Sequence, residues 1–255
     1  GDALTSGACN IALGSNAYGA GTTGSCNIAI GVTSLGAGTT TGADNISLGR
    51  VAMDALTSGA CNIAIGLTAL GAATDQCDVI AIGNGAFAAS VNDADCNIAI
   101  GKSALGGADV AGDYNVAIGI QAADAITSGL QNVAIGHDAM GGATSAQYNV
   151  AIGYEALGAA TLTGNNNIGI GREAGDVLTS GSFNIAIGCD ALGASTDGND
   201  NIAIGQTALA ASVNDGDCNI AIGRQALGGA DVSGADNIAM GRVAMDALTS
   251  GACNI

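Results

Sequence analysis

The sequence predicts an all-β protein, a parallel β-solenoid or β-roll of about fifteen coils of 17–18 residues. Two observations indicate this class. A motif of the type Asn-Ile-Ala-Ile-Gly recurs along the whole 255-residue chain, and Ile or Val always follows its Asn position. Short repeats with β-branched residues are typical of solenoids, whose coils cover one another. A helix is disfavoured because a central Gly and a loop interrupt every unit.

Composition excludes several other classes of protein. The chain has 43 Gly, no Pro, no Trp and 48% hydrophobic residues, with a formal net charge of −17. Collagen would need Pro and a Gly at every third position, and disorder would need fewer apolar residues. The negative charge excludes a basic nucleic-acid-binding surface. No apolar run approaches the roughly 18 residues of a membrane span.

Each predicted strand alternates large and small side chains, as in Ile98-Ala99-Ile100. Alternation places the two aliphatic residues on one face and the small residue on the other. We expect the small face to lie against another layer, another chain or a tight turn, and we interpret it as the contact between chains. Replacing Ala99 or Ala117 by Leu should then disrupt assembly by overpacking.

A Gly follows the strand in all fourteen complete copies. This pattern predicts a corner that needs positive φ or a close backbone approach. An Ala three residues later, usually followed by Leu, Met, Phe or Tyr, predicts a second short strand. The corner positions include Gly31, Gly66, Gly101, Gly119, Gly136, Gly153, Gly188, Gly205 and Gly223.

The recurrent Asn predicts a structural ladder. Stacked amides hydrogen-bond to one another along a parallel stack, and we favour this role over ligand binding. The predicted ladder includes Asn27, Asn62, Asn97, Asn115, Asn132, Asn149, Asn184, Asn201 and Asn219, and Val79 takes the Asn position in one coil.

A longer period lies above the coil. Thr-Ser-Gly begins at positions 5, 57, 127, 179 and 249, which gives a superperiod of 122 residues, or seven coils. We therefore expect residues 1–255 to form one continuous array. Because the chain starts and stops within the pattern and shows no polar cap, we expect a segment of a longer fibre or units that join end to end.

Charged residues occupy particular slots of the repeat. All five cations, and the single histidine His137, directly follow the corner Gly, whereas many acids lie in the loop before the Asn. We favour a solvated acidic loop that keeps the protein soluble. The alternative is calcium bound between adjacent loops, with Asp93, Asp95, Asp113, Asp215 and Asp217 as candidate ligands.

Other chemistry receives little support. Six of the eight Cys directly precede the Asn position, which predicts partly exposed thiols, with disulfides between chains as an alternative. No Cys-x-x-Cys zinc pattern occurs, and one histidine in a regular repeat is weak support for a catalytic triad. We expect no enzyme activity and, apart from the calcium alternative, no cofactor.

The repeat Asn-Ile-Ala-Ile-Gly-x-x-Ala-Leu, present at residues 97–105, resembles the Gly-rich head repeats of trimeric autotransporter adhesins and is similar to repeats of phage tail-fibre proteins. The resemblance covers nearly the whole chain. It implies a left-handed parallel β-roll, assembled as a homotrimer, that acts as an extended surface or attachment module.

We therefore expect an extracellular, cell-surface or virion fibre that self-assembles, as a trimer or an end-to-end filament, and presents a repetitive surface. Its other partners would be a cell-surface receptor or glycan. A calcium- or glycan-binding β-roll that uses the Asp-rich loops is the alternative. An ice-binding solenoid ranks last because Thr22, Thr39, Thr127 and Thr163 keep no strict two-column register.

Overall fold

The computed structural model describes residues 3–91, 94–159, 161–211 and 216–255. It confirms an all-β parallel β-solenoid, since these residues form fourteen three-residue strands and no helix. The strands are β1 (Ile11–Leu13), β2 (Ile28–Ile30), β3 (Ile46–Leu48), β4 (Ile63–Ile65), β5 (Ile80–Ile82), β6 (Ile98–Ile100), β7 (Val116–Ile118), β8 (Val133–Ile135), β9 (Val150–Ile152), β10 (Ile168–Ile170), β11 (Ile185–Ile187), β12 (Ile202–Ile204), β13 (Ile220–Ile222) and β14 (Ile238–Met240).

The chain divides into two compact units, Gly1–Gly129 and Leu130–Ile255. The first unit contains β1 to β7 and the second β8 to β14. Within each unit every strand pairs in parallel with the next strand along the chain, without a shift in register. Equivalent positions of successive coils therefore lie above one another, at the usual strand spacing of about 4.8 Å.

The small strand residue points into the coil, and the two aliphatic residues point out. Ala64 and Ala99 are fully buried, whereas the aliphatic residues on either side of Ala99 are only half-buried. Gly169 takes the small position in β10, and a Cβ added there would lie 2.8 Å from Leu157 Cγ. The interior is too narrow for a larger side chain at this position.

The expected role of the small face as the contact between chains is therefore wrong. Ala99 and Ala117 have no exposed surface, because each lies inside its own coil. The core consists of these small residues, the Ala three positions after the corner Gly and the large side chain that follows it. Leu70, Phe87 and Leu105 are buried examples of that large side chain.

The expected second strand is also absent from the described residues; a series of turns follows the corner Gly. Thr68 and Leu70, two and four residues after Gly66, have φ of 54° and 52°, and Cys61, before the Asn, has 61°. Every described non-Gly residue with positive φ occupies one of these three slots. A positive φ at the second and fourth residues after the corner Gly bends the chain tightly. The backbone N–H groups of these residues still reach adjacent coils: the Thr68 N–H donates to Arg50 O at 3.1 Å and the Leu70 N–H to Ala86 O at 3.0 Å.

In the described ranges, no helix has the length and apolar character that crossing a bilayer requires.

Candidate functional site

The Asn ladder, the stack of Asn side chains that precede the strands, joins successive coils within each unit. Asn27 Oδ1 accepts hydrogen bonds from the backbone N–H and the Nδ2 of Asn45, both at 3.0 Å. Asn27 Nδ2 donates to the carbonyl of Gly42, in the same neighbouring coil, at 2.9 Å. The amide thus uses its donor and its acceptor in the core, where an unpaired polar group costs about 1–3 kcal/mol.

The structure buries all the Asn residues of the predicted ladder: Asn27, Asn62, Asn97, Asn115, Asn132, Asn149, Asn184, Asn201 and Asn219. Two positions depart from the pattern. Val79 donates its N–H to Asn62 Oδ1 at 3.0 Å but has no amide with which to continue the ladder. Asn201 Oδ1 accepts the N–H of Asn219 at 2.9 Å, while its buried Nδ2 has no hydrogen-bond partner in the described part of the chain.

The nine corner glycines named from the sequence all have φ between 129° and 142°. They are Gly31, Gly66, Gly101, Gly119, Gly136, Gly153, Gly188, Gly205 and Gly223. L side chains rarely adopt this conformation. Space is a second constraint, since a Cβ on Gly136 would lie 2.2 Å from Gly153 O in the next coil. The corner therefore requires Gly both for its backbone conformation and for the close approach of the adjacent backbone.

Three of the calcium candidates bind backbone N–H groups of the preceding coil. Asp95 Oδ1 accepts from Cys77 at 2.7 Å, Asp113 Oδ1 from Asp95 at 2.9 Å, and Asp217 Oδ1 from Asn199 at 2.7 Å. We call these acceptors, which lie two residues before the Asn position, the capping row. One oxygen of each carboxylate is thus engaged between coils. The other two candidates, Asp93 and Asp215, lie outside the described residues.

The capping row continues with uncharged side chains. Asn165 Oδ1 accepts the N–H of Gln147 at 2.7 Å, Ser182 Oγ that of Asn165 at 3.0 Å, and Asn199 Oδ1 that of Ser182 at 2.9 Å. An amide or hydroxyl oxygen therefore accepts the same hydrogen bond from the preceding coil as a carboxylate oxygen does. Among the described residues, no group of three or more His, Cys, Asp or Glu has an arrangement suited to a metal ion, and no pocket is present.

In each unit, the outer face consists of four columns of exposed or half-buried side chains, with one residue per coil in each column. In the coil of β3 the four residues are Asp44, before the Asn, Ile46 and Leu48 of the strand, and Arg50, after the corner Gly. Alternate residues of a strand share a side, so Ile46 and Leu48 point the same way, while Asp44 and Arg50 are exposed on either side of the strand. The middle two columns form an aliphatic stripe, in which Ile65 is 37% and Ile152 36% exposed.

The two outer columns differ in charge. The column before the Asn, which we call the acidic edge, contains Asp44, Asp78, Asp200 and Asp236 and no cation. The column after the corner Gly, the basic edge, contains Arg50, Lys102, His137, Arg172, Arg224 and Arg242 and no acid. Exposed aromatic side chains extend the apolar stripe onto both edges: Tyr148 and Phe183 on the acidic edge and Tyr154 on the basic edge.

Side chains of successive coils contact each other along the basic edge. The His137 ring stacks on Tyr154 with centroids 5.5 Å apart, and His137 Nδ1 lies 2.7 Å from Asp138 Oδ2. Tyr154 and Asp138 thus hold the single histidine on an exposed edge.

Arg172 forms a charged cluster farther along the same edge. Its guanidinium lies 2.5 Å from Glu173 Oε1 and 3.2 Å from Asp190 Oδ2, so its charge is balanced within its own chain. A side-chain hydrogen bond with Asp190 is the largest cause that raises the pKa of Glu173. The carboxyl group of Glu173 therefore retains its proton to higher pH than an isolated Glu would.

All eight cysteines are free thiols, and Cys9, Cys26, Cys61, Cys218 and Cys253 are exposed. Partial desolvation, followed by nearby carboxylates, raises the pKa of Cys61 and Cys218. The thiolate is the reactive form, so these two thiols are less nucleophilic at neutral pH than isolated ones.

Neither the capping row nor the positive-φ slots was predicted from the sequence. A signal for the capping row existed, because Asp, Asn or Ser recurs two residues before the Asn position, as at Asp95, Asn165 and Ser182. The positive-φ slots had no such signal. Their occupants include residues as different as Leu70, Gln121 and Tyr148, so no residue type marks the conformation.

Together these features define a class of protein: a parallel β-solenoid repeat protein with a buried Asn ladder and an apolar outer face between edges of opposite charge. Neither the known family models nor the curated protein sequences contain a match to the chain.

Proposed function

We propose that this chain is a structural repeat protein, an extracellular or virion-surface fibre of the adhesin type, that self-assembles through its outer face and presents a repetitive surface. The observation that carries the proposal is the half-exposed aliphatic stripe. In the first unit alone, all seven strands, β1 to β7, point two aliphatic side chains outward.

The size of the stripe supports an interface. Contiguous apolar patches above a few hundred Å² are uncommon on monomers and mark interaction sites. Seven coils with two partly exposed aliphatic residues each, and aromatic residues at the edges, expose apolar area on the order of several hundred Å². A standard interface buries about 800 Å² per partner. Covering the stripe stabilises a complex by roughly 25 cal/mol per Å² removed from water.

A second copy of the chain is the partner that fits the stripe best. The outward side chains recur at the strand spacing of about 4.8 Å, and another copy has the same spacing. Ridges of one stripe can therefore enter the grooves of the other along the whole length of contact. The similarity of the repeat motif to adhesin and tail-fibre repeats supports an extracellular or virion-surface role for such an assembly.

Sedimentation equilibrium over a range of protein concentrations tests the proposal. We expect a mass that is a multiple of 24.1 kDa. Ile202→Lys places a charge in the stripe without entering the core, and it should weaken association by about tenfold or more. Ser180→Lys, at an exposed loop residue outside the outer face, is the matched control and should leave association unchanged. A wild-type chain that stays monomeric at every concentration would contradict the proposal.

A further inference from the structure

Two cysteines occupy the position before the Asn in adjacent coils. Cys9 and Cys26 lie in the coils of β1 and β2, and each stands two residues before its strand. The two strands pair in parallel with Ile11 level with Ile28, so Cys9 is level with Cys26. The other cysteines of this position have Asp or Tyr in the adjacent coils: Cys61, Cys96, Cys218 and Cys253.

Hydrogen bonds between the two coils hold this pair of positions together. The Cys26 N–H donates to Ala8 O at 2.9 Å. The Asn27 N–H donates to Asn10 Oδ1 at 2.9 Å. The residues on both sides of Cys9 thus accept hydrogen bonds from Cys26 and from the residue that follows it. The two cysteines therefore stay one strand spacing apart, at about 4.8 Å.

The two side chains leave their coils in the same direction. Cys9 and Cys26 both have φ of 59°, and both are exposed. A Cα separation of about 4.8 Å lies within the range of about 4.4–6.8 Å that a disulfide bridges. Parallel Cα–Cβ bonds keep the Cβ atoms at nearly the same separation, which is slightly above the usual upper value of about 4.5 Å. A small tilt of the two exposed turns therefore brings the sulfur atoms to bonding distance.

We infer that Cys9 and Cys26 are a disulfide site, which covalently joins the coils of β1 and β2 within one copy. The oxidant is a small disulfide such as oxidised glutathione. The thiolate of one cysteine attacks a sulfur of that disulfide, breaks its S–S bond and releases one glutathione thiolate. The thiolate of the other cysteine attacks the protein sulfur of the mixed disulfide, forms the bond between the two cysteines and releases the second glutathione. Two protons and two electrons thus pass from the protein thiols to glutathione.

The two cysteines outside this position are engaged elsewhere. Cys77 lies one residue before the position, and its Sγ donates to Asp75 O of its own loop at 3.5 Å. Cys189 lies on the basic edge, where its Sγ accepts a hydrogen bond from Arg172 Nη2 at 3.0 Å. Both therefore serve as internal controls for the reactivity of the stacked pair.

The disulfide closes one coil onto the next. Cys26 follows Cys9 by 17 residues, the length of one coil. Disulfides persist in oxidising extracellular environments, which agrees with the location in the proposed function. The inference goes beyond that function, because a covalent link inside one copy does not depend on association through the outer face.

Peptide mapping by mass spectrometry tests the site in the unmodified protein. The fully reduced chain is incubated in a glutathione redox buffer, and the remaining thiols are alkylated. We expect the free thiols to fall by two from eight per chain, with one peptide pair joined through Cys9 and Cys26. Cys218 and Cys253, two coils or about 9.6 Å apart, are too distant to be bridged. A mixture of ¹⁵N-labelled and unlabelled chains shows whether a link joins two copies. Cys9 and Cys26 that stay free, carry glutathione or link to another copy would overturn the proposal.

Substitutions test whether stacking alone creates the site. Cys26→Ser should abolish the link, and Cys253→Ser should leave it unchanged. Asp236 is level with Cys218, and the two residues have φ of 60° and 59°. Asp236→Cys should therefore create a new link, to Cys218 or to Cys253 in the coil on the other side. A new link in this variant without a Cys9–Cys26 link in the wild type would overturn the proposed site.

The outcome is separate from that of the proposed function. Sedimentation of the fully reduced protein measures association through the outer face without the disulfide. A monomeric reduced chain that still forms the Cys9–Cys26 link on oxidation would overturn self-assembly and support the disulfide site. An associating chain with Cys9 and Cys26 unlinked after oxidation would do the reverse.

Discussion

Asn184 connects three successive coils. Its backbone N–H and its Nδ2 both donate to Asn167 Oδ1 in the coil before, at 2.9 and 3.1 Å. Its Nδ2 also donates to Gly198 O in the coil after, at 2.7 Å, and its Oδ1 accepts the N–H of Asn201 at 3.0 Å. A single buried side chain therefore satisfies backbone groups that no solvent reaches.

Asn184→Val should lower the free energy of unfolding of the second unit by about 2–4 kcal/mol. Val79 shows that Val fits the position, so the loss would come from the unpaired N–H of Asn201 and carbonyl of Gly198. Urea unfolding measures the loss, and amide hydrogen exchange should be faster at Asn201. Ser180→Ala, at an exposed residue, is the control. Unchanged exchange at Asn201 would show that the ladder does not protect the adjacent coil.

Gly136→Ala should be more destabilising than Gly241→Ala. Both glycines have positive φ, 140° and 125°, so an Ala costs about 1–3 kcal/mol of backbone strain at either position. At Gly136 the new Cβ would also lie 2.2 Å from Gly153 O, whereas at Gly241 no described atom lies within 4 Å. The extra clash should raise the loss above about 4 kcal/mol, as measured by thermal or urea unfolding. Equal losses would mean that φ alone requires the glycine.

Two substitutions in β6 should have opposite consequences. Ala99→Leu overpacks the fully buried position and should reduce the free energy of unfolding by about 1–3 kcal/mol or more. Ile98→Thr, at the half-buried outward position, keeps a β-branched residue and should cost less than about 1 kcal/mol in stability. It should instead weaken association. Unfolding at low protein concentration and sedimentation at high concentration separate the two effects. Reduced association but unchanged stability for Ala99→Leu would contradict the inward placement.

Cys218 should react faster with alkylating reagents after Asp236→Asn. Partial desolvation and the carboxylates of Asp236, Asp200 and Asp217 raise the pKa of this thiol. Removing one negative charge favours the thiolate, so the pKa falls and the thiolate fraction at a given pH rises. The alkylation rate near neutral pH should increase by about twofold, and the whole rate profile should move to lower pH. Cys9, in a distant coil, is the internal control. A profile that does not move would show that Asp236 does not contribute to the raised pKa of Cys218.

The fold class and the length of the coil follow from the amino-acid sequence alone. Asn and Gly recur every 17–18 residues. Such a short period is typical of a solenoid, in which equivalent positions of successive coils lie above one another. The capping row was also visible in principle, because oxygen-bearing side chains recur at its slot. The turn segment was not, since its positive-φ slots accept Leu70 and Gln121 alike.

The face of each strand that lies inside the coil depends on tertiary packing. The alternation in Ile98-Ala99-Ile100 is compatible with either face in the core, and hydrophobicity alone favours burial of the larger pair. The narrow interior of the coil instead places the small residue inside and the larger pair outside. The buried middle position of the strands holds only Ala, Gly169 or Ser47 in the described residues, and at Gly169 even a Cβ would lie 2.8 Å from Leu157 Cγ, so the larger Ile side chains point outward.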